Sequence, residues 1–218
     1  MTYTYDDFLR NIVDFNLPIH NSSSLWHMWS EPHRRYHDVL HLQHGFLLAR
    51  EMVGQYTFDF DEKFILKHVL SAWCLHDAVY VVGSSLNEEN SANLVSSYVS
   101  DSWIDINAVR KAVLKTKNHT CPNNLVECMV IDIDLWGLGS EYPAYNINKA
   151  LVKNEYRQQY TEDEWVEGRI KFLNSFLGRN NIFWTPLGFK REAKARDNMQ
   201  RELDDLLLDK AFGRGNDG

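Results

Sequence analysis

The 218-residue chain has few cysteines, few prolines and no long apolar segment. Its three cysteines, Cys74, Cys121 and Cys128, are an odd number without the spacing of zinc ligands, which favours reduced thiols in a cytoplasmic protein. No stretch approaches the roughly 20 apolar residues that span a bilayer. The acidic first residues lack the apolar core of a signal peptide. We therefore expect a cytoplasmic protein with no membrane partner.

Positive charge is also scarce. The 23 Lys and Arg against 30 Asp and Glu give a formal net charge of −7, which argues against an extended nucleic-acid-binding surface. A small anionic ligand is still compatible with this charge, because a metal ion or a local cluster of cations can invert the field inside a pocket. The apolar fraction of 44% is enough to bury a core, so the chain fits one large domain.

Helical periodicity dominates the chain, and we find no run of alternating strands. The pattern predicts an all-α fold, a single helical bundle. The expected organisation is a helical extension at 1–30, a main domain at 31–209 and a flexible tail at 210–218. Periodic apolar residues, and an N-cap pattern at Asn87, predict helices near 36–55, 62–79, 87–99, 105–117, 123–136, 144–160, 162–178 and 188–209.

The main functional indication is the doublet His76-Asp77, which lies within the apolar segment 70–80. Burying an imidazole and a carboxylate together is costly unless a partner satisfies them, and a divalent metal ion does so. Consecutive helical side chains point about 100° apart, so both reach one ion only if their helix ends nearby. The residues from Ala78 to Gly83 are a reasonable place for that helix to stop.

Two further groups of polar residues accompany the doublet. His37, His41 and His44 are spaced by four and three residues, so on a helix they share one side, which either lines a site or faces water. Asp132 and Asp134 lie in an apolar run and cannot face the same way on a helix. One of these aspartates is expected to bind metal while the other caps or orients a neighbouring residue. The spacing does not decide which of the two is the metal ligand.

These residues resemble the HD superfamily of metal-dependent phosphohydrolases, named for its His-Asp doublet, and more specifically a group of predicted HD phosphohydrolases of about this length. The resemblance covers roughly residues 30–205. The ordered series that carries it consists of Arg35-Tyr36-His37 with His41, the segment 75–80, Asn87-Glu88-Glu89 with Ser91-Ala92, the segment 116–119, the segment 132–135 with Leu138-Gly139, Gly168-Arg169, Ile182-Phe183 with Thr185, and Glu192 with Ala195-Arg196 and Asn198.

The resemblance implies a divalent metal ion (Mn, Fe, Co, Ni or Zn) held by His41, His76, Asp77 and Asp134. In cyclic-nucleotide phosphodiesterases of the same helical fold, a Tyr-His pair stands four residues before the first metal-binding histidine, and its histidine protonates the leaving group. By this resemblance His37 is the general-acid candidate.

Further roles are expected in a phosphate-binding pocket. Glu88 is a candidate for orienting the attacking water, although its other interpretation is a charge that complements a helix N-terminus. His119 is a candidate for assisting a second metal ion or contacting phosphate, with a plain loop histidine as the alternative. Arg35, Lys115 and Lys117 are the candidates for holding the phosphate.

The sequence therefore predicts a metal-dependent phosphohydrolase, a phosphoric ester hydrolase that acts on a small phosphorylated metabolite, with a nucleotide favoured. One alternative is a non-catalytic nucleotide-binding regulator of the same fold. Another is a di-iron oxygenase on the same scaffold, which needs additional histidine ligands from among His44, His68 and His119. The sequence does not decide whether the protein forms a homo-oligomer.

Overall fold

A computed structural model of the chain describes residues 3–56, 62–100 and 102–212. A 3-10 helix at Leu135–Gly139 follows the seventh α-helix directly. The α-helices of the described ranges are α1 (Tyr5–Asp14), α2 (Ser22–Trp29), α3 (Val39–Val53), α4 (Glu62–Leu75), α5 (Asn87–Tyr98), α6 (Ile106–Lys115), α7 (Leu125–Asp134), α8 (Tyr142–Tyr156), α9 (Glu162–Leu177), α10 (Pro186–Phe189) and α11 (Glu192–Phe212).

The all-α prediction is confirmed. Within the described ranges there is no β-strand, and the only extended pairing is an isolated bridge between Ile19 and Val99. A search of the same ranges finds no helix with both the length and the apolarity that crossing a bilayer requires.

The beginning of α3 differs from the predicted helix over 36–55. Asp38 is the N-cap, and its carboxylate accepts hydrogen bonds from the backbone N–H groups of Leu40 (2.8 Å) and His41 (3.3 Å). The helix begins directly after Asp38 because this side chain satisfies N–H groups of the first turn that have no intrahelical partner. His37 therefore precedes the helix instead of sharing a stripe with His41, and His44 is exposed on the helix surface.

α4 ends four residues earlier than the predicted helix over 62–79, before the His76-Asp77 doublet and not after it. The helix stops at Leu75, so His76 and Asp77 lie in the turn that follows it. The turn is held in place by α5, because Ser91 Oγ accepts a hydrogen bond from the backbone N–H of Val79 (3.0 Å). Because both residues follow the helix, their side chains need not point about 100° apart, as consecutive helical residues do.

The central element is α7, which packs against two hydrophobic clusters at once. Its residues Met129, Val130 and Ile133 belong to the cluster built with α1 to α6. Ile131 and Leu135 belong to a second cluster built with α8, α9, α11 and the segment 182–183. A helix that is apolar on all sides is buried on all sides, and this position explains why the two aspartates of the apolar run are surrounded by protein.

A close approach between α3 and α4 sets the geometry of the site. A Cβ atom added at Gly45 of α3 would overlap the indole ring of Trp73 of α4, so glycine is needed for this contact. The indole Nε1 of Trp73 donates to the backbone carbonyl of Leu42 (2.9 Å). This packing brings His41, one turn earlier on α3, next to His76, and their ring centroids are 5.6 Å apart.

Described residues near both ends of the chain belong to helices of this bundle. Phe8, Leu25 and Trp29, from the predicted N-terminal extension, are fully buried in the same cluster as the main-domain helices. At the other end, α11 continues through residues 210–212, the first residues of the predicted tail. Residues 213–218 lie outside the described residues.

Candidate metal centre

Ligand atoms of three predicted metal-binding residues converge at the end of α4. One ring nitrogen each from His41 and His76 and one carboxylate oxygen of Asp77 all lie within 4.8 Å of one another. From α7, Asp134 Oδ1 lies 3.3 Å from His41 Nε2 and 3.6 Å from His76 Nε2. The four side chains that the family resemblance assigns to one ion are thus brought together by α3, the α4–α5 turn and α7.

The two imidazoles have nitrogen atoms without hydrogen-bond partners. His41 Nε2 and His76 Nε2 are both buried, and neither makes a hydrogen bond within the described ranges. His76 Nδ1 lies 2.8 Å from the backbone carbonyl of Trp73, which only accepts, so Nδ1 carries a proton, and the lone pair of Nε2 becomes available to a cation when the ring is neutral. Buried polar atoms without partners are rare. A metal ion would satisfy both nitrogens, and an imidazole and carboxylate set fits a first-row divalent ion.

The electrostatics of the cluster also favour a cation. Burial lowers the pKa of His76, yet the carboxylates of Asp77 and Asp134 raise it to about 10. Burial likewise opposes ionisation of Asp134, but the surrounding histidines His119, His41 and His76 hold the pKa of this carboxyl well below its ordinary value. A site that retains a proton so strongly attracts positive charge of any kind, including a divalent ion.

The two aspartates of α7 lie on different sides of the helix and have different partners. Asp132 accepts hydrogen bonds from the backbone N–H of Trp184 (2.8 Å) and from the N–H and hydroxyl of Thr185 (both 2.7 Å). It therefore anchors the connector after α9, while Asp134 faces His41 and the other histidines. Residues two apart on a helix point to nearly opposite sides.

His119 reaches the cluster from the loop after α6. Its Nε2 lies 2.7 Å from Asp134 Oδ2. The other oxygen of this carboxylate, Oδ1, faces the Nε2 atoms of His41 and His76. The backbone of His119 has a φ of 47°, a left-handed conformation that costs energy for a residue other than glycine. Arg179 stabilises this loop by donating to the backbone carbonyls of His119 (2.8 Å) and Asn118 (2.9 Å).

Arg34 is a buried residue that the sequence analysis did not single out. Its guanidinium donates to the backbone carbonyls of His37 (2.9 Å), Asp77 (2.9 Å) and Ala78 (3.1 Å). It thereby joins the segment before α3 to the turn that carries the doublet. The sequence contains two adjacent arginines and no local feature that tells which one is buried, and the prediction named only Arg35, as a candidate for holding the phosphate.

His37 lies beside the cluster and is held by a second residue that the sequence analysis missed. His37 Nδ1 is 2.7 Å from Glu155 Oε2, across 118 residues of chain. The ring also stacks on Tyr80, with centroids 4.6 Å apart. Glu155 follows Val152 at a helical spacing in an amphipathic segment, and nothing in that pattern distinguishes it from a surface glutamate.

A cavity of about 500 Å³ opens onto the cluster. A larger cavity of about 1210 Å³, beside α1 and the start of α4, contains none of the predicted site residues. The predicted residues that line the smaller cavity are His37, Asp77, Glu88, Lys117, His119 and Asp134.

Two predicted phosphate-binding residues lie away from this cavity. The guanidinium of Arg35 is exposed and donates to the backbone carbonyls of Pro32 (2.6 Å) and Arg34 (2.9 Å). The ammonium of Lys115 donates to the carbonyl of Cys121 (2.8 Å). Neither residue belongs to the lining. Their sequence positions are close to the site, but their side chains turn toward nearby carbonyl groups.

Other cations take their place in the lining. Lys149 and Arg169, from α8 and α9, line the cavity together with Lys117. Arg169 makes an ion pair with Glu202, with Nε–Oε1 and Nη2–Oε2 distances of 2.8 and 3.0 Å. Residues from helices that lie far away in sequence thus complete the site, and their contribution depends on the packing of α8 and α9 and not on a local motif.

Only one of the additional histidines that a di-iron centre needs reaches the cluster. His68 has both nitrogens occupied, since Nδ1 lies 2.8 Å from the carbonyl of Phe64 and Nε2 accepts from the N–H of Asp105 at 3.0 Å. His44 is exposed. His119 alone of the three contacts a predicted ligand.

A comparison of the chain with models of known protein families, with curated proteins and with solved structures finds no match. The family resemblance drawn from the motifs therefore stands as a proposal.

Proposed function

We propose that the protein is a metal-dependent phosphohydrolase of the HD superfamily, which hydrolyses a phosphoester of a small phosphorylated metabolite, with a nucleotide as the favoured substrate. One observation carries this proposal. The buried Nε2 atoms of His41 and His76, which have no hydrogen-bond partner among the described residues, lie beside the carboxylates of Asp77 and Asp134, and these two carboxylates line a cavity together with His37.

The divalent ion of this proposal is Mn, Fe, Co, Ni or Zn, and His41, His76, Asp77 and Asp134 would hold it. When bound, such an ion supplies Lewis acidity toward a phosphoryl oxygen and lowers the pKa of water. The mixed set of two imidazoles and two carboxylates suits all five metals. Metal analysis of the purified protein identifies the one that is bound.

His37 is the proposed proton donor. Its Nδ1 is occupied by Glu155, so Nε2 is the nitrogen that can serve the cavity. Burial lowers the pKa of His37, but the hydrogen bond to Glu155 and the charge of Asp77 outweigh burial and raise it. As the phosphorus–oxygen bond to the leaving group breaks, its electron pair stays on the leaving oxygen, which takes the proton from Nε2, while water supplies the new phosphorus–oxygen bond.

Glu88 is the proposed acceptor for the proton of the attacking water. Burial raises the pKa of its carboxyl, and the nearby charge of Asp77 adds to this effect. A carboxylate whose pKa is raised is a better base than an ordinary one. Lys117, Lys149 and Arg169 are the cations proposed to hold the phosphate, because they line the same cavity.

The favoured nucleotide is supported by the aromatic side chains of the lining. Flat aromatic faces provide stacking surfaces for a base, and a sugar phosphate alone makes less use of them. The aromatic residues of the lining are Tyr36, Tyr80, Tyr145, Tyr156, Tyr160, Trp165 and Phe172.

The test is a substrate screen with the purified, metal-reconstituted protein. Nucleoside mono- and triphosphates, cyclic nucleotides and sugar phosphates are offered separately, and released phosphate or nucleoside is measured. We expect turnover within the nucleotide classes and none from the metal-stripped control. A fully metal-loaded protein that hydrolyses none of these compounds would overturn the proposal, and tight nucleotide binding in that case would point to the regulator instead.

A further inference from the structure

Glu155 is a buried carboxylate of α8 that receives five hydrogen bonds. Its Oε1 accepts from the backbone N–H groups of Arg35 (2.6 Å), Tyr36 (2.8 Å) and His37 (2.9 Å). Its Oε2 contacts His37 Nδ1 (2.7 Å) and accepts from the hydroxyl of Tyr80 (3.0 Å). One oxygen therefore fixes the backbone before α3, and the other fixes the imidazole of His37.

The surroundings of this carboxylate are unusual for a buried charge. Glu155 is 4% exposed, and among the described residues its only ion-pair partner within 4.0 Å is His37. A buried carboxylate without a cation is expensive unless hydrogen bonds or a charged partner compensate it. Backbone N–H dipoles and an imidazole perform this task here, and the imidazole is the proposed proton donor.

The contact also determines which nitrogen of His37 carries the proton. An ionised carboxylate only accepts hydrogen bonds, so the atom that bonds to it must be Nδ1–H. His37 Nε2 makes no hydrogen bond to any part of the chain that the structure describes, and the ring stacks on Tyr80. The ring is thus held by one nitrogen and one face, and its second nitrogen is left to the cavity.

We propose that Glu155 is a positioning residue for the proposed hydrolysis. It holds His37 with a proton on Nδ1, so that Nε2 delivers its proton to the leaving oxygen. When Nε2 gives up that proton, the electron pair of the N–H bond returns to the ring, and the product is the neutral imidazole with Nδ1–H still bonded to Glu155. The orientation of the ring is therefore the same before and after the transfer. This proposal rests on the proposed function for its kinetic consequence only.

The first test is independent of turnover. Nitrogen NMR of the full chain, labelled at histidine, reports which ring nitrogen carries the proton, and a His37→Gln variant identifies the His37 resonances. We expect Nδ1 of His37 to be protonated in the unsubstituted protein, with or without a second proton on Nε2. In Glu155→Gln the fraction with a proton on Nδ1 should fall. A neutral His37 protonated at Nε2 alone in the unsubstituted protein would overturn the proposal, even if the variant failed to fold.

The second test separates a positioning role from a general loss of structure. Proton donation matters most for a poor leaving group, so Glu155→Gln should lower kcat on an alkyl phosphate by about 100-fold. On p-nitrophenyl phosphate, whose leaving group needs little protonation, the same variant should lose less than about tenfold. KM should change less than kcat on both esters, and metal content should stay unchanged. An equal loss of kcat on the two esters would contradict the role of Glu155.

Glu192→Gln is the matched control. Glu192 also accepts backbone hydrogen bonds, from the N–H groups of Ile182 (3.1 Å) and Phe183 (3.0 Å), but it contacts none of the proposed site residues. We expect it to leave the ratio of the two kcat values unchanged, and a shifted ratio in this variant would contradict the proposal. If the metal-loaded, unsubstituted protein hydrolyses neither ester and none of the compounds of the substrate screen, the proposed function fails, and the NMR result still decides whether Glu155 positions His37.

Discussion

Two polar regions lie on opposite sides of α7, and their buried carboxylates have different kinds of partner. On one side Asp132 is surrounded by donors from Trp184 and Thr185. On the other side Asp134 faces His41 and His76, whose Nε2 atoms make no hydrogen bond within the described ranges. The carboxylate of Asp132 thus finds its donors within the chain, whereas the two nitrogens beside Asp134 have no hydrogen-bond partner among the described residues.

The two carboxyl groups show the same contrast in their ionisation. Burial raises the pKa of Asp132 to about 7, even though Thr185 and Trp184 donate to it. The histidines around Asp134 overcome the same effect of burial and hold its pKa well below the ordinary value. The pKa values of two identical side chains on one helix are thus shifted in opposite directions because of their neighbours. A buried polar residue indicates a functional site when its partners are incomplete, and not because it is buried.

The largest expected effect comes from removing a ligand on the side of Asp134. His76→Ala should reduce bound metal to near zero and lower activity by more than about 100-fold. Loss of a residue that only hydrogen-bonds to a metal ligand already lowers metal affinity or activity by about 10- to 100-fold. Metal analysis by mass spectrometry and phosphate release measure the two effects. His68→Ala is the control, since His68 is also buried but bonded only to backbone groups. Normal metal content in His76→Ala would exclude His76 as a ligand.

The next largest effect should separate proton donation from metal binding within the same side. His37→Ala should keep its metal and lose turnover by about 100- to 10,000-fold, the contribution expected of a general acid. Its metal content is measured on the same sample as its kcat. Full activity in this variant would remove His37 from the mechanism and would leave the metal proposal intact.

A smaller effect, of a different kind, is expected on the side of α7 that carries Asp132. Asp132→Asn replaces one of the two acceptor oxygens by an NH2 group, which cannot accept from Trp184 or Thr185, and it should reduce the free energy of unfolding by about 1–3 kcal/mol. Urea denaturation measures this change. Its metal content should stay normal, whereas Asp134→Asn should lose metal. If both variants lost metal equally, the two sides of α7 would not differ as we infer.

The smallest effect concerns the ion pair between Arg169 and Glu202 at the edge of the cavity. Burial opposes ionisation of Glu202, but Arg169 holds the pKa of its carboxyl below the ordinary value of 4.5. The ionised pair therefore stabilises the fold above that value, and this contribution is lost as the pH falls through the lowered pKa. Each unit of lowering corresponds to about 1.4 kcal/mol.

Urea denaturation between pH 7 and pH 3 tests this contribution. The unsubstituted protein should lose more stability over this interval than Glu202→Gln, which has no carboxyl to protonate at that position. Parallel pH dependence of the two proteins would show that the pair does not titrate as we expect.

Several residues of the candidate site could be predicted from the sequence because ionisable side chains are unusual within apolar segments. His76-Asp77 and the pair Asp132 and Asp134 each interrupt a run of apolar residues, and such interruptions are rare without a partner. The helical period also places the end of α4 close to the doublet. The expected helix over 36–55 was wrong at its beginning, since Asp38 caps it and leaves His37 outside.

The sequence by itself determined an all-α chain and the kinds of side chain available for a metal site, because the helical period and residue chemistry are local properties. The tertiary structure decided which of them meet. Glu155 joins His37 across 118 residues, Arg34 and not Arg35 is buried, and Asp134 and not Asp132 faces the histidines. These pairings depend on the way α8 and α7 pack against distant helices, and no local pattern of residues encodes that packing.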